Sequence, residues 1–158
     1  FTGAHVSRRP SGSTSSGWRQ GSIVKSTGNI IASGSGIGLS WPEVDITTAQ
    51  KDKTVIGVYD ITGPAGHDYF GLDNTREMLS YNAVGEGKML VTDSNGTIEN
   101  GDYICSSNRA GHGEKQDEVY LANFTVAKAT ETIDFSNVEV DSELGFKSTL
   151  ICCTYHCG

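Results

Sequence analysis

Long apolar runs are missing from this sequence. No stretch approaches the ~20 residues a helix needs to cross a bilayer, and no positively charged start leads into an apolar signal region. Clustered basic charge is missing as well. Lys and Arg total 12 against 19 Asp and Glu, for a net charge of −7. A nucleic-acid surface needs grouped Lys and Arg to displace counterions from phosphate. The one basic group, Arg8-Arg9, sits in a Ser- and Gly-rich stretch that reads as a solvated tail. Neither a membrane nor a nucleic acid is an expected partner. Hydrophobic residues are also sparse, at 36% of the chain, which is below the usual globular share.

Glycine is plentiful, with 20 residues, and Ser and Thr are frequent. That composition suits short strands joined by turns and leaves little surface for long helices. At 158 residues the chain suits one domain that buries a real core. The expectation is an all-β fold: a compact single domain of short antiparallel strands and hairpins, barrel-like or sandwich-like, with little helix. Residues 1–17 read as a flexible N-terminal arm, because FTGAHVSRRPSGSTSSG offers little apolar surface to offset the entropy of ordering it. Residues 18–158 read as the β-rich domain. Phe at position 1 fits a processed product or a cut fragment.

Along the chain, Trp18 to Ala32 reads as two short strands around Thr27-Gly28-Asn29. The glycines of SGSGIGLS (33–40) lack a following Lys-Ser/Thr and read as a turn, not a phosphate loop. Thr54 to Tyr59 is the most continuously β-branched run and is expected as a central strand. Residues 60–80 read as a long loop, in which His67 and Asp68 are an exposed polar pair. Met89, Val91 and Asp93 alternate with Leu90, Thr92 and Ser94, the period of a half-buried strand. Asn95-Gly96 and Asn100-Gly101 then read as hairpin turns leading to Tyr103-Ile104-Cys105, a compact meander. Val119 to Ala129 is expected as a strand, and 145–158 as a last strand that needs a partner or burial.

Three constellations carry candidate chemistry. Asp102, Ser106, Ser107, Lys115 and Asp117 bring a nucleophile type, a possible base and two carboxylates into a short span. A Ser–Lys dyad there requires a Lys desolvated enough to lose its proton; turn chemistry and a solvated face account for the same residues. Cys152, Cys153, His156 and Cys157 are soft-ligand types close together, but one local cluster without a distant second knuckle matches structural zinc spacing poorly. No cofactor is expected. Four cysteines, including Cys105, allow three disulfide connectivities, and in a strand Cys152 and Cys153 point to opposite faces. Asn95 and Asn123 each open a glycan-acceptor tripeptide, to be used only in a eukaryotic secretory pathway. Trp18, Trp41 and Tyr69 are sugar-stacking types, though in β domains aromatics more often build the core.

The opening FTGAH, the run KDKTVIGVYD, the block NAVGEGKMLVTDSNGTIENGDYICSSNRAGHGEKQDEVYLANFTVAKAT and the ending CTYHCG resemble the C-terminal autoproteolytic intramolecular-chaperone domains of bacteriophage tail-spike and appendage proteins, with relatives in large DNA viruses and animals. The resemblance covers most of the chain and is weakest over residues 60–80. It implies a β-rich domain at the end of a longer fibrous protein, in the virion or outside the cell. Its implied partners are itself, as a trimer, and the upstream fibrous region that it helps to assemble before cutting itself free. Glu86, Asp102, Ser106, Ser107, Lys115, Gln116 and Asp117 match the family's motif positions. In the phage members the cleavage junction and its acidic residues lie near the domain start. Here that region offers His5 and no carboxylate before Glu43. The chain is therefore expected to act as an oligomerising structural module, with active self-cleavage as the alternative.

Overall fold

The computed structural model describes residues 3–32, 37, 40–62 and 76–157. Among these there is no helix, and strands are arranged in two closed barrels of five. The first holds β1 (Ala4–Arg8), β2 (Ile23–Ala32), β3 (Ser40–Ile46), β4 (Val55–Thr62) and β5 (Met78–Asn82), in the order β1-β3-β2-β4-β5. The second holds β6 (Val84–Val91), β7 (Tyr103–Ser106), β8 (Gly113–Lys115), β9 (Thr125–Ala129) and β10 (Thr149–His156), in the order β10-β6-β8-β7-β9. The all-β expectation holds.

The barrels are structural repeats of one another, strand for strand. In each, the first strand meets the third in parallel and the fifth in antiparallel fashion. Register repeats too. Val24, Lys25 and Ser26 face Ile46, Asp45 and Val44, as Ile104, Cys105 and Ser106 face Lys115, Glu114 and Gly113. Ile23 and Val24 pair with Val58 and Gly57, as Tyr103 and Ile104 pair with Lys128 and Ala127. Each ladder then slips at the same place, setting Lys25 opposite Val55 and Cys105 opposite Thr125. The turn before the second strand is shared: Gly21 and Gly101 have φ of 96° and 97°, a region glycine adopts without steric cost, and donate to Tyr59 O and Ala129 O.

Several sequence expectations change. Residues 4–8, read as part of a flexible arm, form β1, which pairs with β5 along its whole length. Ser7, Arg8 and Arg9 are buried, and β1 closes the first barrel between β3 and β5. The central meander is also corrected. Both Asn-Gly steps turn the chain, but β6 pairs with β10 and β8 instead of the strand that follows it. Met89, Leu90, Val91 and Thr92 are all buried. β6 faces its own barrel on one side and the first barrel on the other, where Leu90 N donates to Gly21 O at 2.9 Å, so both faces are covered and the alternation loses its meaning. Trp18 to Ala32 supplies one strand, not two, and in 119–129 only Thr125–Ala129 is strand. The Thr54 to Tyr59 expectation corresponds to β4. His67, Asp68 and Tyr69 lie outside the described residues.

The repeats share a core. Ile23, Val55 and Val58 of the first barrel pack with Met89, Val91, Ile104, Val126 and Ile151 of the second, while Val24, Val44, Tyr59, Leu79 and Tyr81 fill the first.

Candidate functional site

β7 and β8 are neighbours, so Asp102, Lys115 and Asp117 converge although they are spread along the sequence. They line a groove of about 360 Å³ on the second barrel, with Tyr103, Gln116 and Lys128. Lys115 Nζ lies 3.4 Å from Asp102 Oδ2. Asp117 accepts from Asn95 Nδ2 at 2.9 Å and faces Lys51 Nζ at 3.7 Å. Lys51 also holds Glu118 at 2.7 Å. That bond raises the Lys51 ammonium above its usual range and holds the Glu118 carboxyl below its own.

The two serines lie away from this groove's chemistry. Ser106 is buried; its hydroxyl donates to Ala49 O at 2.8 Å and accepts from Asp52 N at 2.9 Å, which ties the two barrels together. Ser107 is buried and donates to His112 O at 2.8 Å within its own loop. Lys115 faces a carboxylate and both hydroxyls are engaged in hydrogen bonds, so the serines and the lysine form no dyad. Glu86 is exposed on β6, opposite Thr154.

Gln116 matters through what it holds. Its side chain is buried, donates from Nε2 to Glu118 O at 3.1 Å and Tyr120 O at 2.9 Å, and accepts from Thr125 Oγ1 at 2.7 Å. Thr125 Oγ1 in turn accepts from Ala122 N at 2.9 Å. One amide thus fixes residues 117–124, and the loop presents Val119, Tyr120 and Leu121 to solvent at 93%, 62% and 55% exposure. This apolar display was hidden in the sequence, because the same residues read as the start of a strand.

His112 is a residue the sequence did not single out. Its Nδ1 meets Ala110 O at 2.8 Å and its Nε2 meets Ser148 Oγ at 2.7 Å, and its ring stands edge-on to Phe146. Burial pushes the imidazole below its usual range, and Arg19 and Arg109 add to the effect while Asp141 opposes it. The neutral ring anchors the loop between β7 and β8.

All four cysteines are free thiols. Cys153 is buried and Cys152 half-buried on opposite faces of β10. Burial pushes Cys105, Cys153 and Cys157 up to about 12, so these sulfurs are protonated thiols and weak metal ligands. Among the described residues no group of three His, Cys, Asp or Glu converges as a metal site. His156 instead sets its ring edge-on to Tyr103 at 6.1 Å. Trp18 stacks under Arg9, 3.9 Å from its guanidinium carbon, and edges onto Tyr59. Asn123 is exposed, whereas the Thr125 hydroxyl of its tripeptide is buried.

Comparison with protein-family models, curated protein sequences and solved structures found no match to this chain.

Proposed function

We propose that this chain is a self-associating assembly module of a longer fibrous or extracellular protein, the role that its resemblance to phage tail-spike chaperone domains implies. One observation carries the reading. Val119, Tyr120 and Leu121 are exposed together on a loop that buried Gln116 holds in place. A contiguous apolar display on an ordered loop marks an interaction surface, and its prior ordering lowers the entropy cost of docking. A trimer is the assembly expected from the resemblance. Self-cleavage needs a free nucleophile beside a proton acceptor, and the engaged serines and ion-paired Lys115 favour assembly over it.

Sedimentation equilibrium tests this. The wild-type chain is expected to self-associate, and Tyr120→Asp with Leu121→Asp to weaken association at least ten-fold while the thermal midpoint stays within a few degrees. A wild-type chain that remains monomeric at every concentration overturns the reading.

A further inference from the structure

Ser148 and His112 come together from separate parts of the second barrel. Ala110 O can only accept, so its contact at 2.8 Å places the proton of the neutral ring on Nδ1. Nε2 is then an acceptor, and the Ser148 hydroxyl donates to it at 2.7 Å. A hydroxyl that donates to an imidazole, whose other nitrogen is held by an oxygen, is the arrangement that activates a serine nucleophile. Ser106 and Ser107, by contrast, donate to main-chain carbonyls.

Both partners are held in place. The turn at 109–112 closes with His112 N on Arg109 O at 3.0 Å, and the Ser107 hydroxyl donates to His112 O at 2.8 Å. Gly111 N donates to Thr47 O at 2.9 Å and Gly111 O accepts from Ile23 N at 2.8 Å, which pins the turn to the first barrel. Ser148 stands where the turn closed by Asp141 N on Phe146 O, at 3.0 Å, runs into β10. Phe146 sets its ring edge-on to the imidazole, 5.0 Å between centroids. His112 is 2% exposed and Ser148 is half-buried. The base is shut off from water while the hydroxyl keeps a solvent-facing side.

The surroundings decide what such a pair can do. Burial is the largest influence on the ring; Arg19 and Arg109 also oppose its charge, and Asp141 favours it. Arg19 is itself bonded to Asp141 and Glu143, and Arg109 to Asp93. The imidazole is therefore neutral at pH 7 and a weak base. Its orienting partner is a neutral carbonyl, which stabilises an imidazolium less than a carboxylate does. A weak base suits a leaving group that departs with little help, the alkoxide of an activated ester and not the amine of a peptide. The guanidinium charge that opposes an imidazolium favours the oxyanion of a tetrahedral intermediate.

We propose that Ser148 is a nucleophile and His112 its general base, acting on small activated esters. Ser148 Oγ bonds to the ester carbonyl carbon as its proton passes to His112 Nε2. The bond from that carbon to the alcohol oxygen then breaks, and the departing alkoxide takes the proton from Nε2. The acyl group stays on Ser148 until water, deprotonated by Nε2 in the same way, releases it as a carboxylic acid and returns the proton to Ser148. This activity goes beyond the assembly reading and does not depend on it, and it leaves peptide bonds uncut.

The test uses the full chain and two probes, diisopropyl fluorophosphate and p-nitrophenyl acetate. With the first, Ser148 Oγ bonds to phosphorus, fluoride leaves, and the hydroxyl proton passes through His112 to water. Mass spectrometry is expected to find the phosphoryl group on Ser148. The labelling rate is expected to be level from pH 7 to 8 and to fall at pH values under about 6.5, as the imidazole takes up a proton. His112→Gln is expected to slow labelling by about a hundred-fold or more. Ser148→Ala is expected to abolish it, with hydrolysis of p-nitrophenyl acetate falling in step and circular dichroism unchanged. A wild type left unlabelled at pH 8, or a Ser148→Ala chain that still hydrolyses the ester, overturns the inference. So does a wild-type rate that keeps climbing from pH 6 to 8, as ionisation of an unassisted hydroxyl would give. That last outcome needs no variant, so it decides the matter even where His112→Gln fails to fold.

Discussion

Gln116 concentrates more structure into one side chain than any other residue near the groove. Leucine in its place keeps the volume but strands the Thr125 hydroxyl and the carbonyls of Glu118 and Tyr120. Losing buried partners of this kind costs about 1–3 kcal/mol. Gln116→Leu is expected to lower the denaturant midpoint accordingly and to speed amide exchange at Ala122, whose N–H depends on Thr125. His112 gives a pH signature. Its folded-state pKa lies below the unfolded value of about 6.5, because burial disfavours the cation. Between the two values the unfolded chain binds a proton that the folded chain does not, so stability falls as pH drops below about 6.5 and levels off under the folded value. Asp93, held low by its hydrogen bond from Arg109, and Glu43, held low chiefly by Thr27, lose their contributions only below about pH 4. Urea midpoints at pH 7.5 and 5.5 are therefore expected to differ more for the wild type than for His112→Gln.

At the scale of elements, β1 decides whether the first barrel is closed. It pairs with β5 from Ala4 to Arg8 and touches β3 at Arg8 and Glu43. Removing residues 1–9 opens β5 to solvent. Hydrogen exchange is expected to show lost protection at Met78–Asn82, with the amides of β9 and β10 still protected. Equal protection in the shortened chain would mean that the barrel closes without β1. The same strand shows where sequence reasoning reaches its limit. A Ser- and Gly-rich neighbourhood argues correctly that 1–17 has little apolar surface of its own, but β1 is ordered by partners some seventy residues away, and local composition carries no trace of them. Strand runs such as Thr54 to Tyr59 were legible because β-branched residues suit a pleat wherever it pairs. Pairing was not, since a period of two gives faces and not neighbours. The repeat was hidden for a related reason. Ile23 and Tyr103, Ile46 and Lys115, and Thr47 and Gln116 hold equivalent backbone positions but meet different surroundings, one set covered by a barrel and the other facing a groove. Asp102, Lys115 and Asp117 were legible as a cluster because β7 and β8 are close in sequence. The serines were misleading there, since the Ser106 hydroxyl serves contacts with Ala49 and Asp52 that only the tertiary fold creates, and the Ser107 hydroxyl is taken up by His112 within its own loop.

For the whole molecule, the question is whether two barrels behave as one. Ile23, Val55 and Val58 belong to the second barrel's core cluster, and Ile23 N, Gly111 N, Leu90 N and Lys51 N all bond across the junction. With a shared core and shared main-chain bonds, opening one barrel exposes apolar surface on the other, which makes a single cooperative transition the expected behaviour. Ser106 is the place to break it. Ser106→Ala removes the donor to Ala49 O and the acceptor for Asp52 N at a buried junction, for a loss of about 1–3 kcal/mol. Gly111→Val adds a side chain where Ile46 and Ser22 leave no room, and at φ of 71° it strains the backbone as well. The serine variant is expected to unfold in one transition at a lower midpoint. The glycine variant should separate the barrels, so that tryptophan fluorescence, which reports Trp18 and Trp41 in the first barrel, falls before the far-ultraviolet dichroism that reports both. Coincident curves for Gly111→Val would mean that the core shared through Ile23, Val55 and Val58 couples the barrels without the loop.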